Sequence, residues 1–100
     1  MKIIGREILV KLMQKYPDTK SSVSSFMYEL KAAKWKTPHE IKLRFPSADN
    51  LGNKCYVFNI KGNNYRIVIK FNFVVQIARI RWAGLHKDYD KLSRIKEEIC

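Results

Sequence analysis

Residues 55–71 read CYVFNIKGNNYRIVIKF, and the reading of this stretch decides the fold. Cys55 to Ile60 is rich in β-branched and aromatic side chains, Lys61-Gly62-Asn63-Asn64 supplies turn residues, and Tyr65 to Phe71 resumes the alternation. The spacing predicts two antiparallel strands joined by a tight turn. Because side chains alternate across a strand, Tyr65, Ile67, Ile69 and Phe71 share one face, while Arg66, Val68 and Lys70 share the other. One face is therefore core and the other half-polar.

Downstream, a third strand is expected over about Ile77 to Leu85, with Ala78, Ile80 and Trp82 on one face and Arg79, Arg81 and Ala83 opposite. Asn72-Phe73-Val74-Val75-Gln76 must turn between these strands without Gly or Pro, so its turn signal is weak and its tip apolar. Beyond it, Asp88 is a candidate cap for a C-terminal helix with Leu92, Ile95 and Ile99 along one side. Upstream the period is helical. Ile8, Leu12 and Tyr16 recur every fourth residue and Pro17 stops them, predicting a helix over about Gly5 to Tyr16. Asp18 is a candidate N-cap for a second, amphipathic helix carrying Val23, Phe26, Leu30 and Ala33 and reaching about Lys34. Thr37-Pro38-His39-Glu40 has the residues of a capping box with Pro at the first helical position; a short helix follows and Phe45-Pro46 ends it. Helices first, a strand meander next and a last helix make a single α+β domain over residues 1–100, with helices packed on an antiparallel sheet of three to four strands.

The 100 residues include 20 Lys+Arg and 9 Asp+Glu, a net charge of +11. Among the first fifty, basic residues alternate with Glu7, Asp18, Glu29, Glu40 and Asp49, the pattern of solvated helix faces. From Asn50 to Lys87 there is no acidic residue, while Lys54, Lys61, Arg66, Lys70, Arg79, Arg81 and Lys87 all fall there. Such a field repels itself in a folded chain, and a polyanion that binds with release of counterions accounts for it. No run approaches the ~20 apolar residues of a membrane span, and Arg6, Glu7 and Lys11 interrupt the N-terminus, so neither a membrane segment nor a signal peptide is expected. Cys55 and Cys100 make no disulfide framework and no metal-ligand spacing, which points to a reducing, cytoplasmic setting.

His39 and His86 are far apart and no Cys or carboxylate cluster surrounds either, which argues against a zinc site; no glycine-rich phosphate loop is present, and no cofactor is expected. Two-metal hydrolysis lacks its carboxylates in the strand region. RNA, however, carries its own nucleophile. Attack of a 2′-hydroxyl on the adjacent phosphate needs a base, an acid for the leaving 5′-oxygen and cations for the growing charge, roles that Arg, Lys, His and Tyr fill. His86-Lys87-Asp88-Tyr89-Asp90 places His, Tyr and two carboxylates just after the strand that carries Arg81. The same residues also suit a structural strand-end histidine, a core tyrosine and a first-turn helix acid. Trp35, Phe58 and Trp82 read as core rather than as base-stacking platforms.

The chain resembles the HigB toxins of bacterial type II toxin–antitoxin modules, relatives of the RelE group. The resemblance runs through Tyr16-Pro17-Asp18, Ala33-Lys34-Trp35-Lys36-Thr37-Pro38, Ile41-Lys42 and Phe45-Pro46-Ser47-Ala48. It is strongest in Leu51-Gly52-Asn53, Val57-Phe58-Asn59-Ile60-Lys61-Gly62-Asn63, Tyr65-Arg66, Ile80-Arg81, Gly84, His86, Tyr89 and Asp90. It implies a RelE-like sheet with flanking helices and a metal-independent endoribonuclease that cuts mRNA, commonly in the ribosomal A site. It also implies a HigA-like helix-turn-helix antitoxin as partner, and operator DNA reached only through that antitoxin. Carried over by position, Arg66 and Arg81 are the phosphate and transition-state cations, His86 a proton-transfer group, Tyr89 a stacking or proton-transfer group, and Asp90 an orienting carboxylate. Lys54, Asn59, Lys61, Lys70, Arg79 and Lys87 are candidate RNA contacts. Leu85 stands where the family often has Thr, and Val74 and Val75 occupy a loop that is usually polar or basic. A ParE-like toxin acting on DNA gyrase, or a non-catalytic basic RNA-binding module, are the alternatives for such a chain.

Overall fold

The hairpin at residues 55–71 forms the centre of the sheet in the computed structural model, which describes residues 1–94 and 98–100. In chain order the elements are β1 (Lys2–Ile4), α1 (Arg6–Lys15), a 3-10 turn (Pro17–Thr19), α2 (Lys20–Ala32), α3 (Pro38–Arg44), β2 (Asp49–Gly52), β3 (Cys55–Ile60), β4 (Tyr65–Asn72), β5 (Ile77–Leu85) and α4 (His86–Asp90). The sheet has five strands in the order β1-β5-β4-β3-β2, not three to four. Both additional strands are short edges. β1 pairs in parallel with β5, and β2 pairs with β3 through a two-residue loop in which Asn53 and Lys54 both have positive φ, 51° and 63°. Two consecutive left-handed residues match the right-handed twist of the flanking strands, as in a type I′ hairpin.

One face of the sheet meets α1, α2 and α3 in the main core, built on Leu9, Leu12, Val23, Phe26, Leu30, Ile41, Tyr56, Phe58, Ile67, Ile69, Phe71, Ala78 and Ile80. Phe58 packs at 5.1 Å from Phe26 and 5.4 Å from Phe45, ring centre to ring centre, and Trp35 lies 5.9 Å from Phe71, so both aromatics belong to the core side as expected. Entry to α1 is tight. Gly5 has φ +88°, and a β-carbon there would lie 2.8 Å from the Ile80 carbonyl oxygen, so this crossing needs glycine. At α3, the Glu40 carboxylate accepts from the backbone N–H of Thr37 at 2.9 Å and of Lys36 at 2.6 Å, which holds its pKa below the ordinary carboxylate value. The expected helix start is thereby realised.

Four expectations are corrected. Asp18 is no helix cap: its carboxylate accepts from the Tyr65 hydroxyl at 2.9 Å and from Lys61 Nζ at 3.0 Å, tying the 3-10 turn to the β3–β4 hairpin. In β5, Val68 pairs with Trp82 and Ile69 with Ile80, so Arg81 is the extra residue of a bulge. Beyond it the alternation changes phase: Trp82 leaves the face of Ile80, while Ala83 and Leu85 join the main core. The helix expected from Asp88 onward begins at His86, spans five residues and has Asp88 inside its first turn; Ile95 lies outside the described residues. Finally, Cys55 and Cys100 form a disulfide with their Cα atoms 6.0 Å apart. Distance along the chain hid this pairing, because both cysteines come together only on the sheet's second face.

Candidate active site

Cross-strand register lays out that second face in rows. Asn59, Arg66 and Gly84 are partners across β3, β4 and β5; Val57, Val68 and Trp82 form the next row; Cys55, Lys70 and Arg79 form the third. A small apolar cluster of Cys55, Val57 and Val68, covered by Leu51, Trp82, Tyr89, Ile99 and Cys100, thus separates two polar rows.

Arg66 anchors the first row. It is only 9% exposed, and its guanidinium donates from Nη1 to the Oδ1 atoms of Asn59 and Asn63, the latter at 2.7 Å. A buried guanidinium requires such partners, since desolvating a charge without them is costly. Neither acceptor is charged, so the positive charge of Arg66 is oriented but not neutralised by them. Its guanidinium carbon lies 5.9 Å from the Tyr89 ring centre, within cation–π range. The Tyr89 ring is in turn 5.9 Å from Trp82. Gly84 makes room for that indole: a β-carbon at position 84 would sit 2.9 Å from Trp82 Cη2.

The short helix α4 brings the other groups. Its start is fixed by the His86 backbone N–H, which donates to the Asn64 carbonyl at 2.9 Å. One turn apart on this helix, His86 Nε2 and Asp90 Oδ1 approach to 3.2 Å, so Asp90 orients the imidazole. Burial raises the Tyr89 pKa first, with Asp49 and Asp90 adding to the rise and Arg66 opposing it, so the phenol stays protonated at neutral pH.

Of the remaining candidates, Lys70 and Arg79 line a depression of about 280 Å³ together with Lys54, and Lys87 borders another of about 340 Å³ with Asn63, Asn64 and His86. Arg81 is exposed, and its Nε donates to the Ile99 carbonyl at 2.6 Å. Lys61 is engaged by Asp18 and so faces the helix side of the hairpin. Two residues near these groups are not singled out by the sequence: Asn63, which reads only as a turn residue, and Asp49, in an edge strand too short to show alternation. Trp82, expected in the core with Ala78 and Ile80, packs instead on the second face, because the bulge reverses its side. At the β4–β5 turn, Val74 is 88% exposed, and the turn is held by Asn72 Oδ1 accepting from the N–H groups of Val74 and Val75 at 3.1 and 3.2 Å.

This arrangement offers an oriented guanidinium, a neutral phenol and a carboxylate-paired imidazole around one end of a basic sheet face. Residues 19–92 match the family of HigB toxins, described as the RelE-like toxic component of a toxin–antitoxin system. Over 100 aligned residues the chain is 33% identical to the mRNA interferase HigB of Escherichia coli O6:H1 (strain CFT073), covering 98% of this chain and 97% of that protein. It is 35% identical over 97 residues to the mRNA interferase toxin HigB of E. coli K12 and to the mRNA interferase HigB of Shigella flexneri, covering 95% of this chain and 93% of each relative. With its fold, its polar face and these matches along nearly the whole length, the chain belongs to the HigB family of RelE-like toxins of toxin–antitoxin systems.

Proposed function

We propose that this protein is an mRNA interferase, an endoribonuclease toxin that cuts messenger RNA by attack of a 2′-hydroxyl on the adjacent phosphate and needs no metal to do so. The observation that carries the reading is the Arg66 guanidinium, held by Asn59 and Asn63 against the Tyr89 ring beside a helix with His86 and Asp90. Arg66 and Arg81 bind the scissile phosphate and stabilise the charge that develops on it. With Nε2 directed at Asp90, the other imidazole nitrogen of His86 is available to accept the 2′-hydroxyl proton. Tyr89, kept protonated by burial, suits the donor side, giving a proton to the leaving 5′-oxygen or stacking on a base. Lys54, Lys70, Arg79 and Lys87 contact flanking phosphates. The relatives' names and the family's place in toxin–antitoxin systems support mRNA as the substrate. In this reading the toxin meets that mRNA in the ribosomal A site, in the cytoplasm. A HigA-like helix-turn-helix antitoxin is the partner that restrains the toxin, and operator DNA is reached through it.

Expression of the wild type is expected to arrest growth and to create new, codon-positioned mRNA 5′ ends. Arg81→Ala and His86→Ala are each expected to relieve the arrest and to lower cleavage on programmed ribosomes by about 10²–10³-fold, the scale of losing one transition-state contact. Undiminished arrest in both variants overturns the site. DNA breaks without new RNA ends would transfer the reading to a gyrase-directed toxin.

A further inference from the structure

We propose that Cys55 and Cys100 are a redox modification site that controls access to the basic face of the sheet. The inference rests on reading that face as the RNA-binding surface. Cys55 begins β3 on the second face, fully buried, with Lys70 as its cross-strand partner. Its disulfide to Cys100 holds residues 99 and 100 against the apolar row formed by Val57, Val68 and Trp82. In that position two backbone carbonyls occupy cationic donors: Ile99 O accepts from Arg81 Nε at 2.6 Å, and Cys100 O accepts from Lys70 Nζ at 3.3 Å. Both cations are candidates for phosphate binding, and each backbone oxygen competes with a phosphate for one of the donors on its cation. Once the sulfur–sulfur bond is gone, the contacts that hold residues 99 and 100 there among the described residues are these two hydrogen bonds and the apolar packing of Ile99 and Cys100, all of them non-covalent.

The chemistry is thiol–disulfide exchange with a dithiol reductant. Cys100 is the partly exposed residue of the pair and Cys55 the buried one, so the reductant thiolate attacks Cys100 Sγ. The Cys55–Cys100 bond breaks, Cys55 leaves as a thiolate beside the Lys70 charge, and a mixed disulfide forms at Cys100. The reductant's second thiolate attacks its own sulfur in that mixed disulfide and releases Cys100. Two electrons pass from the dithiol to the protein, the dithiol becomes a disulfide, and its two protons end on Cys55 and Cys100. A reducing cytoplasm thus keeps Lys70 and Arg81 open, and oxidation closes them.

The test uses the full chain, prepared with oxidised glutathione or with dithiothreitol, and a single-stranded oligoribonucleotide carrying 2′-O-methyl groups so that it binds without being cut. Intact mass under non-reducing conditions should show the oxidised monomer lighter by two hydrogens. The oxidised form should bind the oligonucleotide about tenfold more weakly than the reduced form, the consequence of occupying two charge-assisted donors. Cys100→Ser should bind as the reduced wild type does under both conditions. Equal binding by the oxidised and reduced wild type, with the bond confirmed by mass, overturns the proposal, as does failure of the oxidised monomer to form the bond. Cleavage of unmodified mRNA on ribosomes is measured separately on the reduced protein. Absence of cleavage there overturns the nuclease reading while a redox-dependent affinity still upholds the gate; RNA bound by neither form overturns both.

Discussion

Arg66 shows how much a single side chain can be read from sequence and where the reading stops. Alternation alone puts it on the face opposite Tyr65 and Ile67, and the structure agrees. Its two acceptors were not equally visible. Asn59 lies across the hairpin and follows from pairing, whereas Asn63 reaches the guanidinium only because the chain turns through Lys61 and Gly62 with φ of 52° and 68°. Arg66→Lys tests the fork rather than the charge. A lysine ammonium keeps the charge but does not reproduce the planar set of donors aimed at both amide oxygens. Ribosome-programmed cleavage by Arg66→Lys is expected to fall by about 10²-fold, comparable to removing one oriented donor, while circular dichroism remains that of the wild type. Cleavage within a factor of two of wild type would show that charge alone suffices.

Elements with a sustained period were legible, and those built by pairing were not. β3, β4 and β5 are each six or more residues long with strand-like composition, and their bounds agree with expectation to within a residue, although the alternation in β5 changes phase at Arg81. β1 has three residues and β2 four, too few for a period, and each exists because a neighbouring strand supplies its hydrogen-bond partners. The bulge at Arg81 was equally hidden, since one residue in excess on β5 is a property of its register with β4. The passage from β1 to α1 makes a testable point about edges. Gly5→Ala introduces a β-carbon against the Ile80 carbonyl at a left-handed φ, so it should cost about 1–3 kcal/mol. Urea unfolding is expected to show a lower midpoint with an unchanged slope; an unaltered midpoint would mean that the crossing relaxes freely.

At the scale of the whole molecule, Asp18 joins the helical layer to the hairpin through Lys61 and Tyr65, contacts 43 and 47 residues away in sequence. The Lys61 contact first, and the Tyr65 hydroxyl next, hold its pKa below the ordinary value of 3.8. A carboxylate whose pKa is depressed by folding stabilises the native state above its unfolded pKa, and this contribution is lost as pH falls through the folded value. The thermal midpoint of the wild type should therefore fall as pH drops below about 4, and Asp18→Asn should show a smaller fall over that window after starting lower at neutral pH. Parallel curves for the two proteins would remove Asp18 from the acid response. The sequence by itself determined the α+β class, the central hairpin, the three principal helices and the acid-free basic stretch. Each is written in local periodicity, capping residues or charge, which act over a few neighbouring residues. Only the tertiary structure decided the two edge strands, the phase change at Arg81 that sends Trp82 to the site, the use of Asp18 as a cross-tie and the Cys55–Cys100 bond over Lys70 and Arg81. These depend on which distant segments meet across the sheet, and no local pattern carries that information.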